Sequence, residues 1–292
     1  MPDSNRSSDA GNSLHGRART NFSIAVLAAA AVGTLGGLIG LGGAEFRLPL
    51  LLILFGLAGL QAVIVNKAIS LVVVASALAF RSAAVPFADV VDAWAVVANL
   101  LAGTLVGSWF GAGLATRLHP LIFHRVIALL LVTIAVVLAF GHETESALIT
   151  AQHGPAQIVV GLVAGILIGV VAALLGVAGG ELLIPALILL FGVDIKLAGT
   201  LSLVISLPTL MVGIGRYSRD VNFSVLRERR GLVFAMALGS VAGVFAGASL
   251  LPYVSEAVLL PILAAVLILS AIKVWAMARR ADPPGNGAPG RS

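Results

Sequence analysis

The chain has 292 residues, of which 59% are apolar and 11% charged, and its mean hydropathy is +1.08. So few charges cannot cover the surface of a soluble domain of this size, which excludes that class and leaves an integral membrane protein. The net charge of +5 fits basic cytoplasmic loops and calls for no nucleic-acid partner, and the absence of cysteine excludes disulfides and thiolate chemistry.

In chain order, residues 1–21 are rich in Ser, Gly and Asn and are expected to form a disordered cytoplasmic tail. Apolar runs of about 18 or more residues then recur near 22–42, 62–80, 93–116, 122–140, 157–178, 198–215, 232–251 and 257–278. These runs lack the alternation of a barrel strand, and in lipid the remaining way to satisfy a backbone is a helix. The predicted fold class is an all-α integral membrane bundle of about 8–10 helices, counting short or re-entrant segments at 48–60 and 184–196. Residues 141–157, with Glu143 and Glu145, are expected as an external linker, and 279–292 as a second disordered cytoplasmic tail. Arg17 and Arg19 before the first apolar run also suit a cleaved signal peptide, a reading rejected because that run belongs to an internal repeat.

Shifted by 136 positions (169 − 33), the chain falls on itself without a gap. Gly33, Gly40, Gly43, Glu45, Pro49, Phe55, Gly56, Ser70, Gly103, Gly107 and Gly111 meet Gly169, Gly176, Gly179, Glu181, Pro185, Phe191, Gly192, Ser206, Gly239, Gly243 and Gly247. The copies span residues 22–140 and 158–278. Loop charge changes sign between them. Residues 80–95 carry Arg81 against Asp89 and Asp92, whereas 216–231 carry Arg216, Arg219, Arg227, Arg229 and Arg230 against Asp220 and Glu228. The next loop reverses the other way, with Arg117 and Arg125 in the first copy and Glu256 in the second. Basic loops stay cytoplasmic, so equivalent loops are expected on opposite faces, the repeats are inverted, and both termini, with Lys273, Arg279 and Arg280 at the second, are cytoplasmic. Inverted repeats with short, Gly-interrupted segments are a construction of secondary transporters, whose sites lie at the repeat interface.

Each copy carries a glycine-rich bend, "GLGGAEFRLPLL" at 40–51 and "GVAGGELLIPAL" at 176–187. A Phe-Gly turn follows each, and then "AVIVNKAISL" or "AGTLSLVISL". This pair of motifs resembles the TauE/SafE family of membrane permeases, the sulfite exporters, over nearly everything between residues 22 and 278. The resemblance implies transport of sulfite, sulfonates such as sulfoacetate, or related small organic anions across the cell inner membrane. Glu45, Arg47 and Glu181 stand where many members carry apolar residues.

The residues themselves point to an anion site at the repeat interface. Pro49 and Pro185 are suited to a first helical turn, so new helices are expected to begin near them, their N–H groups facing the bends Gly40, Gly42, Gly43 and Gly176, Gly179, Gly180. Those glycines either serve packing alone or also contact substrate. Gly103, Gly107, Gly111 and their mates, four apart on one face, are expected to serve close helix packing. Charge inside a bilayer costs about 2.5–3.5 kcal/mol on insertion scales, so Arg47 and Lys67 are either structural ion-pair partners or anion ligands, and Glu45 and Glu181 are candidates for proton coupling. Asn66 and Ser70, with Thr200, Ser202 and Ser206, form a hydrogen-bonding stripe in both copies, unless those hydroxyls only bond to backbone. Pro208 is expected to kink its helix. His15, His119, His124, His142 and His153 fall in tails or loops without metal spacing, and no Ser-His-Asp set or nucleophile elbow occurs, so no metal, cofactor or enzyme activity is expected. The expected partners are a small anionic substrate and the lipid bilayer; a channel for the same anions, and a homodimer, are both compatible with the sequence.

Overall fold

The structure, a computed structural model, describes the backbone of residues 4–114, 132 and 155–280 and the side chains of 22–113, 132, 155–174 and 176–272. Residues 141–154 of the expected linker, most of the run at 122–140, the loop with Arg117 and Arg125, the residues after 280 and every histidine side chain lie outside these, and the linker's last three residues open a helix at Pro155.

In the first copy, α1 (Ser4–Ile39) leads through the glycine bend to α2 (Ala44–Pro49), a π-turn segment (Leu50–Leu54), α3 (Gly59–Arg81), the short α4 (Phe87–Asp92) and α5 (Trp94–Leu114). In the second, α6 (Pro155–Leu175) leads to α7 (Gly180–Phe191), α8 (Ile195–Tyr217), a 3-10 turn (Val221–Ser224), α9 (Val225–Glu228), α10 (Arg230–Leu250) and, after a second 3-10 turn, α11 (Glu256–Arg280). Among the described residues, six stretches are long and apolar enough to cross a bilayer: Phe22–Ile39, Gly59–Arg81, Trp94–Gly113, Pro155–Leu174, Ile195–Tyr217 and Arg230–Tyr253. α1 continues upstream of Phe22 through the polar stretch expected as a tail. Elongating an existing helix fixes only one residue per added bond, so such an extension costs little.

The packing obeys the 136-residue offset contact by contact. A Cβ added at Gly103 or Gly107 would strike the carbonyls of Leu162 and Ile166 on α6, and one added at Gly239 or Gly243 would strike those of Val26 and Ala30 on α1. α5 therefore lies backbone-to-backbone on α6, and α10 on α1, each pair uniting elements of different copies. Small residues permit this approach, and dispersion and lipid release, not hydrophobic burial, hold helices together in a membrane. The mates α3 and α8 pack on each other in opposite directions: Arg81 meets Gly199 and Lys67 meets Gly213. Equivalent helices that run antiparallel are related by a twofold axis across their length, so the repeat is inverted. The loops carrying Asp89 and Asp92, and Arg219, Arg227 and Arg229, then emerge at opposite ends of this pair. In the basic loop Asp220 accepts from the Asn222 backbone N–H (2.8 Å) and its Nδ2 (2.9 Å), which hold the carboxyl below its ordinary 3.8.

The half-helices begin earlier than the prolines suggested. α2 starts directly after Gly43 (φ 67°) and α7 directly after Gly179 (φ 85°), with Pro49 and Pro185 a turn further in. The left-handed glycine turns the chain inside the membrane, which no side-chain-bearing residue does cheaply. Each proline then removes the bond its N–H would give to the carbonyl of Glu45 or Glu181. Beyond Pro49 the first copy relaxes into the π-turns of Leu50–Leu54, whereas α7 stays α-helical to Phe191. Pro208 lies inside α8, which remains helical from Ile195 to Tyr217.

Candidate functional site at the repeat interface

The two glycine bends abut at the pseudo-twofold axis: Gly180 lies against Leu41, and Gly40 against Gly199 on α8. The polar stripes of α3 and α8 stitch them together. Asn66 donates through Nδ2 to the carbonyls of Ala44 (2.9 Å) and Gly176 (3.0 Å), and its mate Ser202 donates to Gly40 (2.8 Å) and Gly199 (2.8 Å). Ser206 donates to the Ala178 carbonyl at 2.8 Å and Ser70 to that of Asn66 at 2.7 Å. The bends expose backbone carbonyls inside a membrane, and each unsatisfied one would cost several kcal/mol, so the stripe supplies what a soluble loop takes from water.

Arg47 belongs to the same knot. Its Nε donates to Asn66 Oδ1 (3.3 Å), Nη1 to Ser240 Oγ (3.1 Å) and Nη2 to Ser70 Oγ (2.8 Å), and Glu45 acts on it electrostatically. This arrangement corresponds to the structural reading of that cation: its hydrogen-bonding fork is held by three side chains of the protein. Glu45 and Glu181 stand in the first turns of α2 and α7, where a carboxylate complements the positive helix end, so the two N-termini already face the chain's own acids. Glu181 Oε1 accepts from Ser270 Oγ of α11 at 2.9 Å.

Two of the predicted residues lie apart from the knot. Thr200 accepts from Arg81 Nε (3.2 Å) and donates to the Lys196 carbonyl (3.2 Å) near one end of α8. Lys67 points the other way, beside Gly213 and with Nζ 5.9 Å from the centroid of the Tyr217 ring. It is 1% exposed, and among the described residues it has neither a hydrogen bond nor a carboxylate within 4.0 Å.

Sequence reasoning missed Arg81, counting it as loop charge. It is the last residue of α3 and fully buried, with Nη1 donating to the Gly37 and Leu38 carbonyls (2.8 Å each) and Nη2 to that of Lys196 (2.8 Å). Its mate Tyr217 donates its hydroxyl to the Ala173 carbonyl at 3.2 Å, the equivalent of Gly37. Different side chains thus cap the same helix end in the two copies, and without Arg81 the 80–95 loop is more acidic than counted. Also missed were Thr104 and Thr209, whose hydroxyls meet at 3.0 Å, and Ser108, within 3.5 Å of the Thr209 carbonyl. Thr104 stands opposite Ser240 in the offset, a polar match that the glycine pattern around it obscured.

A family profile described as "Sulfite exporter TauE/SafE" matches residues 5–138 and 160–291, one segment for each copy. No curated protein and no solved structure matches the chain. Two matched segments that together span most of the chain, on an inverted repeat with six bilayer-length helices, make this a multi-pass membrane protein of the sulfite exporter TauE/SafE family.

Proposed function

We propose that the protein is a secondary transporter for small anions, sulfite, sulfonates or related organic anions, working across the inner membrane with both termini in the cytoplasm. One observation carries this reading: Lys67 is 1% exposed and has no counter-ion among the described residues, on a helix at the repeat interface. A desolvated cation that the fold leaves uncompensated is stabilised when an anion arrives. Enclosure of Lys67, Asn66, Ser70, Ser202 and Ser206, each at most 1% exposed, supports a carrier that occludes its cargo over an open channel. Glu181, in the first turn of a half-helix and hydrogen-bonded by a movable serine, is the better proton carrier of the two glutamates, because Glu45 already serves Arg47.

Uptake of radiolabelled sulfite and sulfoacetate into proteoliposomes, with and without an imposed pH gradient, tests the reading. Lys67→Met is expected to weaken binding about 10- to 150-fold, the loss of one charge-assisted bond of about 1.5–3 kcal/mol. Glu181→Gln is expected to keep exchange and lose the response to the gradient. Accumulation that survives an uncoupler would replace proton coupling, and flux without accumulation would make the protein a channel.

A further inference from the structure

α8 runs into the basic loop, and its last turn carries Arg216, whose guanidinium rests over the Trp109 ring of α5, 4.9 Å from the centroid. The offset of 136 residues pairs Arg216 with Phe80 and Trp109 with Phe245 (216 − 80 and 245 − 109). Those two rings make the equivalent contact at the other end of the inverted repeat, edge to face at 5.3 Å. α3 and α10 thus close on each other with two phenyl groups, and α8 and α5 with a guanidinium and an indole. Packing alone does not call for the arginine, because phenyl rings fill the same place in the other copy.

Arg216 and Trp109 are both exposed, the indole at 47%, and they stand near the ends of the bilayer-length stretches Ile195–Tyr217 and Trp94–Gly113. At that depth an indole and a cation meet lipid headgroups. Among the described residues Arg216 has no side-chain hydrogen bond, and neither it nor the exposed Arg219, Arg227, Arg229 and Arg230 has a carboxylate within 4.0 Å. The loop's own Asp220 is engaged by Asn222. The fold leaves these cations to an anion from outside the chain.

We infer that Arg216, resting on Trp109, holds the phosphate of an anionic phospholipid in the leaflet at this end of α8. The indole carries one face of the guanidinium and leaves its N–H edges for the phosphate, which a planar fork meets with two parallel bonds. Arg219, three residues on, adds charge at the same membrane surface. The acyl chains lie along apolar side chains that face lipid, among them Phe110, 67% exposed. A lipid so placed touches α5 and α8, which belong to different copies, and ties the copies together at the face opposite the phenyl clasp. The site does not depend on what the protein transports.

The test adds phosphatidylglycerol or phosphatidylcholine of the same chains to the purified full chain in neutral detergent and follows the unfolding midpoint. Phosphatidylglycerol is expected to raise the midpoint further, and the difference to shrink as salt is added. Arg216→Gln should weaken the apparent affinity for phosphatidylglycerol about 10-fold and leave the response to phosphatidylcholine as in the parent. Arg216→Phe, which copies the mate position and keeps a ring on Trp109, should lose the same affinity, so the loss is not one of packing. Arg229→Gln removes the same charge from the same loop and should change the affinity less than about 3-fold at about 0.15 M salt. An equal loss at Arg229 would make the effect a diffuse field and overturn the site. Equal responses to the two lipids would overturn it too, as would an equal rise with glycerol 3-phosphate, which has the phosphate without the chains. The anion-transport reading is untouched by any of these results, since Lys67 has no part in them.

Discussion

Arg81 and Lys67 ride on one helix about four turns apart, both buried and both pressed against a glycine of the antiparallel α8, yet their surroundings are opposite in kind. Arg81 finds three backbone carbonyls and a threonine hydroxyl, and it ties the end of α1 to the start of α8. Lys67 finds an aromatic face at 5.9 Å and the bare backbone of Gly213. The lesson is that burial of a charge does not by itself mark a functional site; what matters is whether the fold supplies acceptors for every donor. The planar guanidinium with five fixed donors is suited to gathering carbonyls, and the compact ammonium on a flexible stem to meeting a ligand that comes and goes.

That contrast can be broken most forcefully at Arg81. Arg81→Met should destabilise the protein by about 4.5 kcal/mol or more, three charge-assisted bonds to carbonyls at roughly 1.5 kcal/mol each, visible as a large fall in the unfolding midpoint in detergent. A parent-like midpoint would mean that the carbonyls it caps find other donors. Lys67→Met should go the opposite way and raise the midpoint, by up to about 2 kcal/mol, because it removes an uncompensated buried charge. A marked loss of stability there would show Lys67 to be a structural residue like Arg81. The smallest effect is expected at Tyr217, which belongs to both environments. Tyr217→Phe deletes the bond to the Ala173 carbonyl at a cost of about 1 kcal/mol but keeps the ring below Lys67, so anion affinity should stay within about 2-fold.

The glycine pattern made close helix packing legible in the sequence, though not which helices pair. Gly103, Gly107 and Gly111 were read as a face for close helix approach, and the offset told which residues repeat the arrangement. The candidate site was legible in part. Asn66, Ser70, Ser202 and Ser206 were read as a matched polar stripe, but sequence does not reveal which way a serine donates, and in the fold Asn66, Ser202 and Ser206 meet carbonyls of the bends while Ser70 bonds to its own helix. The prolines misplaced the helix starts because their suitability for a first turn says nothing of a left-handed glycine six residues earlier (49 − 43). Ser108 and Thr209 carried no signal of their own, and Thr104 only its match to Ser240, since isolated hydroxyls in membrane helices are common and mostly bond to backbone.

Composition determined that the chain lives in a bilayer and the lack of strand alternation that it does so as helices, because only helices and closed barrels satisfy the backbone there. The self-match at a fixed offset and the reversal of loop charge determined that it is two inverted copies. Only the tertiary structure decided which buried charges are answered from within. Arg47, Arg81 and Lys67 look alike along the sequence, and their difference arises where α2 meets α10 and α3 crosses α8, from contacts such as Arg47 with Ser240, Arg81 with Lys196 and Lys67 with Gly213 that join residues more than a hundred positions apart.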